Sequence, residues 1–262
     1  MTILCSRMNT INRSSSRARR LAERLQFPRL LNARDLGGYA VRGGARTRER
    51  SVLRTDDLYK LTTEGAQALV DYGVRSVIDL RWPRELERKP SIFQRGAHGV
   101  QYTHVSLLDG SEETWNLRVP GVTKEHWNCA VLDHAGPEMA RVLKTVAEAP
   151  QGIVLFHCAA GKDRTGVIAA MLLAAADVEP DEIAEDYSIS TDYIQDTYLA
   201  SYPSEQREAV LEEVRCPPEQ IYNMLAHLER RYGGTPGYLR RIGLTTMEID
   251  RIRSRLLPHS VS

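Results

Sequence analysis

Ile153-Val154-Leu155-Phe156-His157-Cys158-Ala159-Ala160-Gly161-Lys162-Asp163-Arg164-Thr165-Gly166 joins an apolar run to a Cys, five further residues and an Arg. Residues 152–156 form a continuous apolar stretch, the pattern of a strand covered on both faces. Residues 167–176 follow as a helix that is apolar on nearly every side, and such a helix belongs at the centre of a fold. Between the two lies a short loop rich in Gly and Ala. Small residues there let successive backbone N–H groups converge on one anion. The helix N-terminus adds its positive end to that cradle. Arg164 can offer a guanidinium fork to two oxygens of a phosphate, which Lys could not do equally well. The same cations favour the thiolate form of Cys158. Thr165 is placed to donate its hydroxyl to that sulfur, and His157 to order the loop through backbone hydrogen bonds. An ATP-binding Walker loop is excluded twice, by Phe156 where Gly is needed and by Asp163 where Ser or Thr is needed.

Outward from the loop, helical and strand patterns alternate. Thr62 to Tyr72 reads as a helix with Gly73 as its C-cap. Residues 75–80 read as a buried strand, 101–105 as a second, and 137–149 as a helix with Met139, Val142, Leu143 and Val146 on one face. Residues 32–58 read as turns with short strands around 39–41 and 51–53. This alternation predicts an α/β sandwich. Residues 179–213 hold eleven Asp or Glu and one Arg, with tyrosines at 187, 193, 198 and 202. They read as two amphipathic helices, 181–200 and 204–214, either a solvated acidic surface or a movable cover over the loop. The chain then ends in a short loop and an amphipathic helix within 238–257.

Composition narrows the function classes. The 262 residues carry a net charge of +1, so a global attraction to nucleic acid or membrane is not indicated. The longest apolar run, ten residues at 167–176, is too short to span a bilayer. Cysteines at 5, 129, 158 and 216 form no CxxC pair, which disfavours a zinc site and suggests a reducing compartment. Cys5, Cys129 and Cys216 read as structural. Residues 1–24 read as a disordered basic leader, with five Arg before residue 21 and no apolar segment of a secretory signal. The expectation is a cytoplasmic protein, with signal-less export left open, and one domain over 25–258.

Residues 157–166 resemble the signature loop of the cysteine-dependent protein tyrosine phosphatase superfamily: Cys, five residues, Arg, then Ser or Thr. The fuller form, HCxxGKDRTG, resembles the bacterial atypical tyrosine and dual-specificity phosphatases. Asn32-Ala33-Arg34-Asp35-Leu36-Gly37-Gly38-Tyr39, Val77-Ile78-Asp79-Leu80-Arg81 with Glu85, and the C-terminal helix from Tyr238 fit that branch. The resemblance covers about residues 25–258. It implies a three-layer phosphatase fold, a central mostly parallel sheet flanked by helices, with a helical insertion at 179–215 after the catalytic helix as a candidate lid. It also implies a reaction without metal or cofactor. Cys158 would form a thiophosphate on a phosphotyrosine, phosphoserine or phosphothreonine protein, or on a phosphoinositide. Ala159, Ala160, Gly161, Lys162, Asp163, Arg164 and Thr165 would bind the phosphate, and His157, Arg34, Asp35 and Asp79 would support them.

The general acid is open to three carboxylates. Asp163 lies in the loop, at the position where the resembled branch has been assigned its acid. Asp79 ends a predicted strand, and Asp109 follows a turn-like stretch. The Trp82-Pro83-Arg84 triplet mimics the acid loop of conventional tyrosine phosphatases but carries Arg where the acid belongs. Lys162 is expected at the pocket mouth, where it would tolerate multiply phosphorylated lipids. Arg34 and Asp35 are expected either to line the pocket or to brace the loop from behind. A catalytically weak phosphate-binding module is the alternative, disfavoured by intact Cys158, Arg164 and Thr165. Rhodanese-type sulfurtransfer is disfavoured by the Arg–Thr pair.

Overall fold

The computed structural model describes residues 23–108 and 126–258. Five strands form one sheet in the order β1-β2-β5-β3-β4, namely β1 (Arg34–Asp35), β2 (Val52–Thr55), β3 (Val74–Asp79), β4 (Gln101–His104) and β5 (Ile153–His157). Only β1 runs antiparallel to its neighbour; the other pairs are parallel. The expected mostly parallel sheet is therefore present, with β5 at its centre.

The period of two along β5 sorts its side chains between two cores. Ile153 and Leu155 enter one core with Leu58, Leu61, Ala66, Leu69 and Phe93. Val154 and Phe156 enter the larger core on the opposite face. The smaller core lies under α1 (Thr63–Tyr72), which starts at a Thr62 side-chain cap and stops at Gly73 with φ +118°. The larger core is covered by α3 (Trp127–His134), α4 (Gly136–Glu148) and α5 (Asp163–Ala175). Helices α9 (Glu219–Tyr232), α10 (Thr235–Arg241) and α11 (Thr246–Leu256) complete that layer. A short α2 (Pro83–Arg88) follows β3. Apart from Asp163 and Ala174, every residue of α5 is buried, which accounts for its apolar character on all sides.

The acidic segment departs from its expected form. In place of one helix over 181–200 there are two, α6 (Pro180–Ser188) and α7 (Ser190–Ala200), followed by α8 (Arg207–Val214). Residues 39–41 form isolated bridges rather than a strand: Ala40 pairs with Arg46 and Val41 with Val178. Asp109, Cys5 and the leader up to residue 22 lie outside the described residues. Among the described residues no helix is long and apolar enough to cross a membrane.

Candidate active site

Parallel register sets the geometry of the loop. Thr55 of β2 and Asp79 of β3 both pair with His157 of β5, so Asp56, Cys158 and Leu80 emerge side by side at the C-terminal edge of the sheet. That edge is where open α/β sheets build their sites. Cys158 is 2% exposed, and α5 opens five residues later with Asp163, Arg164 and Thr165 in its first turn.

The loop fits closely against β2. Gly161 has φ +67°, and a Cβ there would stand 2.6 Å from the Thr55 carbonyl group and 2.7 Å from the Asp56 nitrogen. Gly161→Ala is therefore expected to displace the loop and cut turnover by at least about tenfold, with a stability loss of about 1 kcal/mol or more. Paired kinetic and urea-unfolding measurements check this. Asn32 Nδ2 donates to the carbonyls of Ala160 (3.1 Å) and Gly161 (2.9 Å), and the Asp57 nitrogen donates to that of Ala159 (3.1 Å). In a trans peptide the N–H points opposite to the preceding C=O. Carbonyls held outward therefore leave the loop amides free to face an anion.

Arg164 is clasped by Glu85 of α2 through two bonds, Nη1 to Oε2 at 2.6 Å and Nη2 to Oε1 at 3.1 Å. Its guanidinium also lies 5.0 Å over the Trp82 ring, and Arg84 lies 4.6 Å over the same ring. The Trp-Pro-Arg triplet is thus the N-terminus of α2, where the Trp82 nitrogen donates to Glu85 at 2.8 Å. Burial pushes the Glu85 carboxyl up, but Arg164 outweighs it and holds Glu85 below the usual range.

His157 Nδ1 meets the Cys158 carbonyl at 3.1 Å, the backbone contact expected of it, and its Nε2 stands 3.5 Å from Asp79. Asp79 is fully committed. It accepts from Arg81 at 2.6 and 2.9 Å and from the Tyr102 hydroxyl at 2.7 Å. Burial raises its carboxyl, yet His157, Arg81 and Tyr102 together hold it far below the ordinary value. Arg81 also reaches Asp57 at 2.9 Å and so ties the ends of β2 and β3 across β5. Burial moves Asp57 upward, against the pull of Arg81. The Thr165 hydroxyl is buried and, among the described residues, has no hydrogen-bond partner.

Two placements correct the sequence reading. Lys162 is 3% exposed and turned away from solvent, its Nζ donating to the Glu213 carbonyl and lying 3.5 Å from Asp163. That carbonyl belongs to the last turn of α8, where helices leave acceptors open. Asp35 stands apart from the loop, its carboxylate accepting from the nitrogens of Gly37 (2.9 Å) and Arg50 (2.6 Å). Burial pushes it up to about 6.

Arg34 takes the bracing position rather than the pocket lining. It donates to Asp186 of α6 at 2.9 Å, to Ser190 at 2.8 Å and to the Asn32 side chain. Asp163, partly exposed at the start of α5, pairs with Lys162 rather than Arg34.

A family model described as the tyrosine phosphatase family matches residues 25–258. The chain belongs to the tyrosine phosphatase family. It is 33% identical over 216 residues to the tyrosine-protein phosphatase of Nostoc commune, covering 78% of this chain and 73% of the relative. It is 26% identical over 277 residues to the triple specificity protein phosphatase PtpB of Mycobacterium tuberculosis, covering 88% and 98%.

Helices α7 and α8 lie against the loop. Ala160 packs against a small apolar cluster built on Ile194, Val210 and Val214, which Tyr198, Leu199 and Leu31 also flank. Burial raises the Tyr198 hydroxyl well above its ordinary value, with added pressure from the charges of Cys158, Asp56 and Asp163. Sequence reasoning did not single out Glu85 as a clasp, nor Asn32, Arg54 and Asp186 as supports. Asn32 and Glu85 lay inside quoted motifs, so their positions were signalled although their contacts were not.

Proposed function

We propose that this phosphatase hydrolyses phosphomonoesters through a cysteinyl-phosphate on Cys158, with phosphotyrosine as the leading substrate and phosphoserine, phosphothreonine or phosphoinositides as further ones. The observation that carries the reading is the bidentate Glu85–Arg164 clasp beside a buried Cys158. It presets the guanidinium for the equatorial oxygens of a transferring phosphoryl group. The sulfur attacks phosphorus, the ester oxygen leaves with a proton, and water then displaces the sulfur. Thr165, whose buried hydroxyl has no hydrogen-bond partner among the described residues, supports the departing thiolate. The name of the mycobacterial relative favours broad specificity. Phosphate release from a phosphotyrosine peptide and a short-chain phosphoinositide, in EDTA, ranks the substrates. No turnover on either, with phosphopeptide binding intact, would favour the binding-module alternative.

Asp163 is proposed as the general acid, because it lies partly exposed at the end of the loop, whereas Asp79 is buried and locked as a carboxylate by Arg81 and Tyr102; Asp109 lies outside the described residues. Asp163→Asn is expected to slow phenyl phosphate hydrolysis by about a hundredfold. It should slow p-nitrophenyl phosphate far less, since that leaving group needs no proton. An equal effect on both would remove Asp163 from the role.

The insertion over residues 179–215 is proposed as a cover that opens for substrate. Ile194→Ala is expected to remove about 2 kcal/mol or more of closed-state packing. Alkylation of Cys158 by iodoacetamide should then rise at least about tenfold. Unchanged alkylation and unchanged hydrolysis would end the cover reading.

A further inference from the structure

Beneath the loop lies a cluster with more positive than negative charge. Arg34 and Arg54 are both 0% exposed, and among the described residues Asp186 is the one carboxylate paired with either. Asp186 Oδ1 accepts from Arg34 at 2.9 Å and Oδ2 from Arg54 at 2.5 Å. The remaining partners are uncharged. Tyr39 donates its hydroxyl to Asp186 at 3.0 Å, and Ser190 and Asn32 accept from Arg34. Burial and the adjacent Arg34 hold Arg54 below its ordinary value despite Asp186, as an excess buried cation requires.

Arg54 turns its other nitrogen toward the loop. Nη2 donates to the Gly161 carbonyl at 2.8 Å and reaches that of Lys162 at 3.5 Å. It also passes 3.8 Å from where a Cβ on Gly166 would stand, in the first turn of α5. A cation beside the positive end of a helix is unfavourable unless an anion neutralises both.

We propose that Arg54 is a positioning residue for phosphate binding. Together with Asn32 it holds the Gly161 carbonyl outward, so that the N–H of Lys162 faces the pocket. Its surplus charge is neutralised by the bound phosphoryl group. The proposal rests on the phosphatase reading above. It adds to the loop a cation that never touches substrate and is reached only through the backbone.

The test compares Arg54→Gln and Arg54→Lys with the wild-type full chain. The readouts are thermal unfolding and the inhibition constant of inorganic phosphate against aryl phosphate hydrolysis. Arg54→Gln leaves Arg34 and Asp186 as a balanced pair, so it is expected to fold. Its phosphate inhibition should weaken by about tenfold, or 1.4 kcal/mol. Arg54→Lys keeps the charge and should stay closer to wild type than Arg54→Gln. A folded Arg54→Gln with wild-type phosphate inhibition would overturn the proposal, and so would failure of Arg54→Gln to fold. Absence of turnover and phosphate binding in the wild type would count against the phosphatase reading instead.

Discussion

Cys158→Ser is expected to lower kcat by at least about four orders of magnitude while leaving phosphate binding nearly intact. The two parts of this result have separate physical origins. In the proposed mechanism binding comes from Arg164, clasped by Glu85, and from loop amides whose carbonyls are bonded by Asn32 and Arg54. Replacing sulfur by oxygen leaves the Glu85 clasp on Arg164 and the Asn32 and Arg54 bonds to the loop carbonyls in place, so an anion should still find its cradle. Chemistry needs a nucleophile that attacks phosphorus and can leave it again. A serine hydroxyl is a poor version of both, because its proton is far harder to remove. Steady-state kinetics on an aryl phosphate, together with the inhibition constant of inorganic phosphate, separate the two. A variant that kept a tenth of the activity would place the nucleophile elsewhere.

The second large effect concerns stability. Asp186→Ala is expected to cost about 3–5 kcal/mol, the range found when one partner of a buried ion pair is removed. Asp186 is buried, and burial alone would raise its carboxyl; Arg34 and Arg54 reverse that and hold it below the ordinary value. Removing it leaves two buried guanidinium groups facing each other with no counter-charge. The Tyr39 hydroxyl loses its acceptor as well. Urea unfolding at neutral pH measures the loss. The sign of the pH dependence follows from the lowered carboxyl. The stabilisation is fully present above the unfolded-state carboxylate value, near 3.9, and is lost as pH falls through the lower folded-state value. Wild type and Asp186→Ala should therefore converge in stability in acid. Equal stability at neutral pH would mean that the insertion is not anchored through this carboxylate.

The catalytic loop was legible because its demands are local in sequence. A covered strand, a small-residue turn, an Arg and a buried helix follow one another within 152–176, and each leaves its own pattern. The register of the neighbouring strands carried Asp79 to the same edge for the same reason. What could not be read were the partners brought together by distant chain segments. Arg34 meets Asp186 across 152 residues, and Arg164 meets Glu85 across 79. A charged residue in a motif shows that it has a role but does not show what it faces. The break between α6 and α7 falls at Ile189, with neither Gly nor Pro to mark it, and the apolar spacing runs on across it. Lys162 was expected at the pocket mouth because its neighbours in the loop face the phosphate; the carbonyl of Glu213 at the end of α8, distant in sequence, supplies the acceptor that draws it inward instead. The strand β1 is two residues long, too short for any period to register.

A phosphoryl group carried on Cys158 is what separates this chemistry from direct hydrolysis by water. Rapid quench of the wild-type protein with a radiolabelled aryl phosphate, followed by denaturation and peptide mapping, tests it directly. Transient label is expected on the peptide containing Cys158 and is expected to be absent in Cys158→Ser. Turnover with no label on that peptide, or label on another residue, would contradict a cysteinyl-phosphate intermediate.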